Sequence, residues 1–412
     1  MQFKDLGLNK PIVKAITEHG YEHPTLVQEQ AIPLVIDKKD VIVSAQTGTG
    51  KTAAFALPIL QQLFDKQDAS KKGKKIRALI ISPTRELALQ IEENFTIYSK
   101  YTNLRTGIVF GGISIEPQKD MLRKGVDILI ATPGRLLDLH KQDLVNLDFI
   151  ETLVLDEADL MLDMGFIDDV NKINRLCHQQ KQTLLFSATM PFKVVELAKT
   201  ILKDSVKIEV APTSSTVKGV HQLLFYVPKP KKIELFLHLL RNSIKGSVII
   251  FRRTKYGVDK LEKTLLRIGY KVDSIHGDKS QDLRQLALQK FKNGEVSILI
   301  ATDVAARGID VENIDAVINF DISNVPETYV HRIGRTGRAG KEGAAFSFCS
   351  ADEKDYVIAI QKLINKQLDV IDDHPYPLDP KAKPEVHKSP DAGKYRKGRK
   401  SEASKKKKKR WY

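Results

Sequence analysis

Short runs of β-favouring apolar residues recur along this chain, each followed by a polar loop and a helical stretch. Such near-continuous apolar runs are typical of parallel strands whose two faces are both covered by helices. A first series lies at Val41–Ser44, Ala78–Ile81, Asp127–Ile130, Leu153–Leu155 and Leu184–Phe186. A second series lies at Val248–Phe251, Val272–Ile275, Ile298–Ile300, Val317–Phe320 and Ala345–Phe348. The pattern predicts an α/β fold with two parallel-sheet domains and helices on both faces of each sheet.

The boundary between the two series is a small-polar stretch without periodicity, Ala211–Thr216, which we interpret as a linker. We therefore expect a first domain over residues 1–207, a linker over 208–218 and a second domain over 219–370. Residues 371–412 are expected to form a disordered basic tail. Within it, residues 381–412 contain 14 lysines or arginines against 3 acids, and so carry +11 of the chain's net charge of +15. Too few apolar residues are present there to offset the entropy of ordering.

The tail ends in the basic run Lys405–Arg410, followed by Trp411 and Tyr412. A run of this kind either keeps a protein in solution or binds a polyanion, because lysine and arginine clusters attract phosphate backbones without reading sequence. We favour a polyanion-binding arm.

Several classes of protein are disfavoured by the sequence. No run reaches the roughly 18 apolar residues of a membrane helix, and the start of the chain lacks the apolar core of a signal peptide. Cys177 and Cys349 lie in apolar patterns typical of buried thiols rather than of disulfides or metal ligands. We expect a cytoplasmic protein without membrane contact.

A glycine-rich loop follows the first apolar run and precedes a helical stretch. Its residues are Ala45, Gln46, Thr47, Gly48, Thr49, Gly50, Lys51 and Thr52. Glycines allow backbone N–H groups to close round a phosphate, the lysine pairs with the β- and γ-phosphates, and the threonine offers its hydroxyl to Mg²⁺. Ala45 stands where the general pattern has its first glycine, and an ordinary glycine turn is the alternative.

Acidic residues follow another apolar run, at Asp156–Asp159. Ligands of open parallel sheets bind beyond the carboxyl ends of the strands, so these acids should face the phosphates. Asp156 suits a water-mediated Mg²⁺ ligand, and Glu157 is placed to polarise the attacking water. Ser187 and Thr189 either cap the helix that follows or reach Asp159 and couple two strands.

The order of these motifs resembles that of the DEAD-box ATP-dependent RNA helicases. The matching segments are Gln28, Ala45–Thr52, Pro83–Ala88, Gly111–Gly112, Thr132–Arg135, Asp156–Asp159, Ser187–Thr189, Ala301–Asp310 and His331–Arg338. The resemblance runs from about residue 3 to 365, and that family tolerates alanine at position 45. It implies two tandem RecA-like domains. The compact core and short basic tail look most like the bacterial RhlE-type group.

The resemblance also implies roles for single residues. Phe3 and Gln28 would bind adenine, with a core anchor as the alternative for Phe3. Arg335 and Arg338 would reach the γ-phosphate from the second domain, and Asp310 would contact the ribose. Such groups stabilise the transferred phosphoryl only when the domains close.

Contacts with RNA are implied in both domains, at Pro83, Thr84, Arg85, Gly111, Gly112, Thr132, Arg135, Arg284 and Thr302. These residue types suit phosphate and sugar binding rather than base reading. Arg253 stands where the family often has asparagine, which leaves the RNA contacts of its segment open.

The sequence therefore predicts a monomeric, ATP- and Mg²⁺-dependent RNA helicase that separates short duplexes locally, with ribonucleoprotein or ribosomal-precursor partners. One alternative is an ATP-dependent RNA clamp or chaperone that remodels complexes with little unwinding. Another is a DNA helicase, which Asp156–Asp159 together with Gln28 disfavours.

Overall fold

The computed structural model describes residues 1–45, 48–65, 75–210, 219–306, 311, 314–337 and 342–379. Within them, two parallel seven-stranded sheets form two domains. Of the predicted features, Gln46, Thr47, Asp310, Arg338, the stretch 211–218 and the tail from residue 380 lie outside the described residues.

The first domain builds its sheet in the order β3-β4-β2-β5-β6-β1-β7. Its strands are β1 (Val41–Ser44), β2 (Ala78–Ile81), β3 (Thr106–Val109), β4 (Ile128–Ala131), β5 (Thr152–Leu155), β6 (Gln182–Ser187) and β7 (Val206–Glu209). Its helices are α1 (Lys10–Glu18), α2 (Leu26–Ile36), α3 (Lys51–Asp65), α4 (Arg85–Tyr98), α5 (Glu116–Lys124), α6 (Pro133–Lys141), α7 (Ala158–Asp163), α8 (Ile167–Leu176) and α9 (Phe192–Ile201). A 3₁₀ turn at Phe3–Leu6 precedes them.

The second domain repeats this arrangement in the order β10-β11-β9-β12-β13-β8-β14. Its strands are β8 (Val220–Tyr226), β9 (Val248–Arg252), β10 (Val272–Ile275), β11 (Ile298–Thr302), β12 (Ala316–Asn319), β13 (Gly343–Cys349) and β14 (Asp369–Val370). Its helices are α10 (Lys232–Asn242), α11 (Lys255–Arg267), α12 (Gln281–Lys292), α13 (Asp303–Ala306), α14 (Pro326–Ile333) and α15 (Lys354–Ile364). Two 3₁₀ turns, Lys229–Lys231 and Ala351–Glu353, precede α10 and α15.

Each sheet is covered on both faces, as the apolar runs predict. Successive side chains of a strand point to opposite faces. In β2, Ile80 joins a core that contains Phe55 of α3, whereas Leu79 and Ile81 join a separate core that contains Val170 of α8. The predicted α/β fold is confirmed. Because all strands of a sheet are parallel, the loops that follow them gather at one edge, where ligands of such sheets bind.

Two predicted boundaries are wrong by a few residues. The first domain does not end at residue 207, because β7 continues to Glu209, which pairs with Ser44 of β1. Its exposed, charged positions hide the strand from an apolar pattern. The tail does not begin at residue 371 either. Ile371 and Leu378 donate backbone hydrogen bonds of 2.9 Å to the carbonyls of Leu224 and Tyr226 in β8, so residues 371–379 belong to the second domain.

Both cysteines are buried and neither forms a disulfide. No helix among the described residues has the length and apolar character needed to cross a bilayer.

Candidate nucleotide and RNA site

The glycine-rich loop connects β1 to α3 at the carboxyl edge of the first sheet. Gly48 and Gly50 have φ angles of 83° and 88°, in the left-handed region that favours glycine. A Cβ on Gly50 would lie 2.3 Å from Nε2 of Gln28. Ala45 is buried, and its N–H donates to the Ser187 carbonyl at 3.0 Å, which extends the pairing of β1 with β6. The loop therefore needs glycine at position 50 and accepts alanine at 45.

Gln28, predicted to bind adenine, is buried beside this loop at the start of α2. Its Nε2 donates to the Gly50 carbonyl at 3.2 Å, and its Oε1 accepts from the Thr25 N–H at 2.9 Å. The Thr25 hydroxyl donates to the Thr49 carbonyl at 2.8 Å. The start of α2 thus holds the glycine-rich loop by two side chains.

Phe3 is predicted to stack on adenine. Its side chain is only 3% exposed and belongs to the core of the first domain. Its ring meets Tyr21 edge to face, with centroids 6.1 Å apart. The 3₁₀ turn thus places the ring in the core in this structure, and stacking of Phe3 on adenine stays a prediction.

Lys51 and Glu157 form a buried ion pair between the start of α3 and the loop after β5. Nζ of Lys51 lies 2.7 Å from Oε1 of Glu157. Burial alone would lower the pKa of Lys51, but the charges of Glu157 and Asp156 outweigh it and raise that pKa. Glu157 also has a left-handed backbone, with φ 53° and ψ 56°. Non-glycine residues adopt this conformation at a cost of about 1–3 kcal/mol, and it is frequent at functional sites.

Asp156 has the environment of a cation ligand. Its carboxylate is buried, and Oδ1 has no hydrogen-bond partner. Burial, followed by the charge of Glu157, raises the pKa of Asp156 to about 7. A buried acceptor without a donor is costly unless a ligand supplies the missing interaction. A single carboxylate of this kind fits a Mg²⁺ ion, which proteins usually bind through one or two carboxylates together with substrate phosphates and water.

Asp159 is joined to the end of β6 by a hydrogen-bond network. Its Oδ2 accepts from the N–H and hydroxyl of Thr189 at 2.9 and 2.8 Å. Its own N–H donates to Oγ of Ser187 at 3.1 Å. Burial would raise the pKa of Asp159, but the charges of His331 and Lys51 and these hydrogen bonds lower it. Of the two alternatives for Ser187 and Thr189, the structure shows the link to Asp159.

The second domain meets the first beside this network. His331 of α14 and Asp159 line the same cavity of about 130 Å³. Arg335 follows α14 and is 6% exposed. Its backbone carbonyl accepts from the Ile314 N–H at 3.2 Å. Arg332 is also buried and holds both oxygens of Asp303, with Nε to Oδ1 at 2.5 Å and Nη2 to Oδ2 at 2.8 Å. This pair fixes α14 against α13 and so fixes the turn that carries Arg335.

Most of the predicted RNA-contacting residues line one cleft of about 470 Å³ between the domains. The lining includes Pro83, Thr84, Arg85, Gly111, Thr132, Arg135 and Arg284. Gly112, with φ 80°, lies against the cleft, since a Cβ there would be 1.7 Å from Nη2 of Arg85. Thr302 does not line the cleft, but it ends β11 directly before Val304 and Ala305, which do.

Positive charge dominates this cleft. Nη2 of Arg284 in the second domain lies 2.8 Å from Oε1 of Glu86 in the first. Burial lowers the pKa of Arg85, and although Glu86 opposes this effect, the nearby charges of Arg284 and Arg135 add to it. Nη1 of Arg135 and Nε of Arg284 are buried without hydrogen-bond partners. Three arginines therefore share the cleft with two carboxylates, Glu86 and Asp138, which leaves an excess of positive charge that favours a phosphate backbone.

Comparison with known proteins identifies the family. Residues 25–198 match the DEAD/DEAH box helicase family, and residues 231–340 match the helicase conserved C-terminal domain. The ATP-dependent RNA helicase CshA of Limosilactobacillus reuteri is 44% identical over 88% of this chain and 72% of that protein. The chain belongs to the DEAD-box ATP-dependent RNA helicases. The helicase is also 40% identical to RhpA of Helicobacter pylori, over 90% of this chain and 74% of that protein.

A solved structure of S. cerevisiae Dbp5 bound to RNA and ADP BeF3 matches the helicase with a TM-score of 0.80 and 32% identity, covering 90% of this chain and 95% of that chain. One score covers both domains, so the likeness extends to how the two domains sit together as well as to each fold. The RecA-like architecture predicted from the sequence is confirmed.

Gln118 of the helicase was missed from the sequence. It is 5% exposed, and its Oε1 accepts from the Phe110 N–H at 3.0 Å. Its Nε2 donates to the carbonyls of Phe110 and Ser114, both at 3.2 Å. On the other side, Nη2 of Arg135 donates to the Ile113 carbonyl at 3.0 Å. The loop with Gly111 and Gly112 is thus held on both sides, and no local pattern signals a glutamine in this role.

Arg253, where the helicase departs from the common family pattern, is tied within the second domain. Its Nη2 lies 2.8 Å from Oε1 of Glu353 and donates to the Ile322 carbonyl at 2.8 Å. The same Glu353 holds the buried Lys232 through Oε2 at 2.6 Å. The guanidinium of Arg253 therefore serves the second domain's own packing.

Proposed function

We propose that this helicase opens short RNA duplexes locally by closing its two domains on one strand. The observation that carries the proposal is the meeting of both domains at one cleft, where Arg284 pairs with Glu86 amid residues that favour phosphate. Because a duplex resists the bend that contact with both domains requires, closing on one strand would expel the other. Backbone contacts would make binding largely independent of sequence, and the 2′-hydroxyl would favour RNA over DNA.

ATP would bind at the glycine-rich loop, with Lys51 leaving Glu157 to hold the β- and γ-phosphates. Glu157 would then be released to polarise the attacking water. Gln28 would contact adenine by exchanging its hydrogen bond to the Gly50 carbonyl or the one to the Thr25 N–H. The predicted contacts of Gln46, Thr47 and Asp310 belong to the same proposal.

Thr52 and Asp156 would hold Mg²⁺, and the unpartnered Oδ1 of Asp156 supports this assignment. When bound, the ion would offset charge on the β- and γ-phosphates. Arg335, and Arg338 as predicted from the sequence, would stabilise the charge that develops on the transferred phosphoryl. Because both arginines belong to the second domain, hydrolysis would require domain closure.

Asp159 would report on this state through Thr189 and Ser187 on one side and His331 on the other. The lowered pKa of Asp159 keeps it negative, which supports an attraction to His331 when the domains are closed. Phosphate release would weaken closure and let the RNA leave.

An RNA clamp with little unwinding is the second candidate, favoured by the same closed cleft. Strand displacement on short duplexes, measured with RNA-stimulated ATPase in the same samples, separates the two. Displacement that rises with ATP turnover supports the helicase, whereas turnover without displacement supports the clamp. Equal stimulation of ATPase by RNA and DNA would instead revive a DNA helicase.

The basic tail is proposed as an additional RNA-binding arm. Residues 371–379, which precede the tail, run beside β8, and Leu378 hydrogen-bonds to Tyr226 at the carboxyl end of that strand. Deleting residues 381–412 should weaken RNA binding and flatten its dependence on salt. An unaltered salt slope would leave the tail with only a solubilising role.

The cellular setting is also a proposal. We infer a monomer of the cytoplasm that acts on ribonucleoprotein or ribosomal-precursor RNA. Membership of the RhlE-type group is likewise a proposal, and the relatives compared above are named CshA and RhpA. Light scattering over a range of concentrations tests the monomer, and crosslinking to RNA in cells followed by sequencing tests the partners.

A further inference from the structure

Helix α11 of the second domain presents one straight row of exposed side chains. Tyr256, Lys260, Lys263 and Arg267 follow one another at intervals of four, three and four residues, which places them on a single helical face. All four are exposed, and Tyr256 is 75% exposed. The row joins one aromatic ring to three cations.

The positive charge of this row is not compensated on the helix. Asp259 and Glu262 lie on the neighbouring face, and the carboxylate of each faces a residue outside the helix. Oδ1 of Asp259 is 2.9 Å from Nε2 of His276, and Oε1 of Glu262 is 3.2 Å from Nζ of Lys279. Within the part of the chain that the structure describes, no ion pair engages the three cations of the row. Asp259 precedes Lys263 by four residues, but the two form no ion pair, and no acid lies within the row itself.

The row begins at the RNA cleft. Tyr256 lies in the first turn of α11, next to Lys255, whose Nζ is 2.7 Å from Oδ2 of Asp278. Gly277, the residue before Asp278, lines the cleft. At about 1.5 Å per residue, the eleven-residue span from Tyr256 to Arg267 extends roughly 16 Å away from it.

An aromatic ring followed by a line of cations is the combination that binds single-stranded nucleic acid without sequence preference. Base stacking on such a ring contributes about 1–3 kcal/mol, and the cations attract the phosphates. We propose that the α11 row binds RNA that continues beyond the cleft, with Tyr256 stacking on the first base outside it. This inference rests on the RNA cleft proposed above.

The test compares two labelled RNAs bound to the full chain in the presence of a non-hydrolysable ATP analogue. One single strand is just long enough to fill the cleft, and the other carries an extension, tested at either end. The variant K260Q/K263Q/R267Q removes the charges of the row, and Y256A removes the ring. The matched control R241Q/K245Q/K362Q removes three exposed charges elsewhere in the same domain, from the last turns of α10 and α15 and from the loop after α10.

We expect the row variant to weaken binding of one extended RNA about tenfold at low salt and to leave the short RNA unchanged. Loss of three phosphate contacts should also lower the magnitude of the slope of log K against log salt by about 2. Y256A should weaken the extended RNA without changing the slope. The control should match the unmodified protein, and thermal unfolding confirms that each variant is folded.

Equal weakening of both RNAs, or the same loss in the control, would overturn the proposal, because either result reflects general charge. If the row variant and Y256A bind both RNAs as the unmodified protein does, the proposal is also overturned. The row would then be a candidate site for an acidic protein partner. If the short RNA fails to bind the unmodified protein, the proposed cleft itself is refuted.

Discussion

Lys51 and Glu157 neutralise each other at the place where ATP phosphates are proposed to bind. The phosphates must therefore take the place of Glu157 as the partner of Lys51. We expect Lys51→Ala to abolish ATP binding. Lys51 is the cation paired with Glu157, so without it the buried charge of Glu157 would repel the ATP phosphates. Glu157→Gln should still bind ATP, because the amide frees Lys51, and it should hold ATP and RNA together without turnover. A fluorescent ATP analogue and RNA retention measure the two effects. Glu196→Gln, an exposed change on α9, is the control, and a Glu157→Gln protein that still turned over would lose its proposed role.

Asp156 should make the stability of the nucleotide-free helicase depend on pH. Its pKa rises from 3.8 to about 7 in the fold, so the folded state binds this proton more tightly than the unfolded state does. The associated stability is fully present below pH 3.8 and is lost progressively as the pH rises through about 7.

Asp156→Asn removes this titration. Between pH 5 and pH 8, in EDTA and without nucleotide, we expect the free energy of unfolding of the variant to gain about 2 kcal/mol relative to the unmodified protein. Denaturant unfolding at the two pH values measures the change. A difference between the two proteins that does not vary with pH would show that Asp156 is already charged at pH 5.

At the scale of elements, the interior strands were predictable except β8, whose buried and exposed positions are mixed, and most edge strands were not. The run at Ala78–Ile81 matches β2 to the residue, because both faces of an interior strand are covered and the run is wholly apolar. The strands β3 and β7 have covered positions only in part, and β14 has two exposed residues. Such strands are formed by backbone pairing with a neighbouring strand, and the pattern of apolar residues does not indicate that pairing.

The candidate site divides in the same way. Motifs confined to one strand, loop and helix, such as Gly48–Thr52, were identifiable because their chemistry is local. The contact of Arg284 with Glu86 and the clamp by Gln118 were not, since they depend on which elements the fold brings together. The burial of Phe3 in the core of the first domain was also not evident from the family position that suggested a contact with adenine.

The loop between β3 and α5 offers a test of positioning by an element. Gln118→Leu keeps the size of the side chain but removes its three hydrogen bonds to the loop. We expect the KM for RNA in RNA-stimulated ATPase to rise about tenfold, because the unheld loop must be ordered on binding, while affinity for ATP persists.

Gln118→Glu keeps the acceptor for the Phe110 N–H and loses the donors, so an intermediate KM is expected. If Gln118→Leu lowered the maximal rate and left the KM for RNA unaltered, the residue would not act through the RNA loop. Thermal unfolding separates either result from loss of the fold.

At the scale of the whole molecule, we propose that the placement of charge influences whether the two domains close. Arg85 and Arg135 of the first domain share the cleft with Arg284 of the second, and we expect their repulsion across the cleft to oppose closure unless negative charge offsets it. Glu86 supplies part of that charge from within the protein, and RNA phosphates are proposed to supply the rest. The pair between Glu86 and Arg284 therefore acts on closure and on RNA binding together.

A double-mutant cycle on this pair tests that coupling. The side chains of Glu86 and Arg284 are 6% and 16% exposed, so removing one charge strands the other in a mostly desolvated setting. Glu86→Gln should lower the closed fraction, measured by fluorescence energy transfer between labels on the two domains with ATP analogue and RNA present. The double variant Glu86→Gln/Arg284→Gln should lose less than the sum of the single changes, with a coupling energy of roughly 0.5–3 kcal/mol. Arg284→Lys keeps the charge and should retain part of the closed fraction. Strict additivity would mean that the two residues do not meet in solution, and closure would then have to rest on nucleotide and RNA alone.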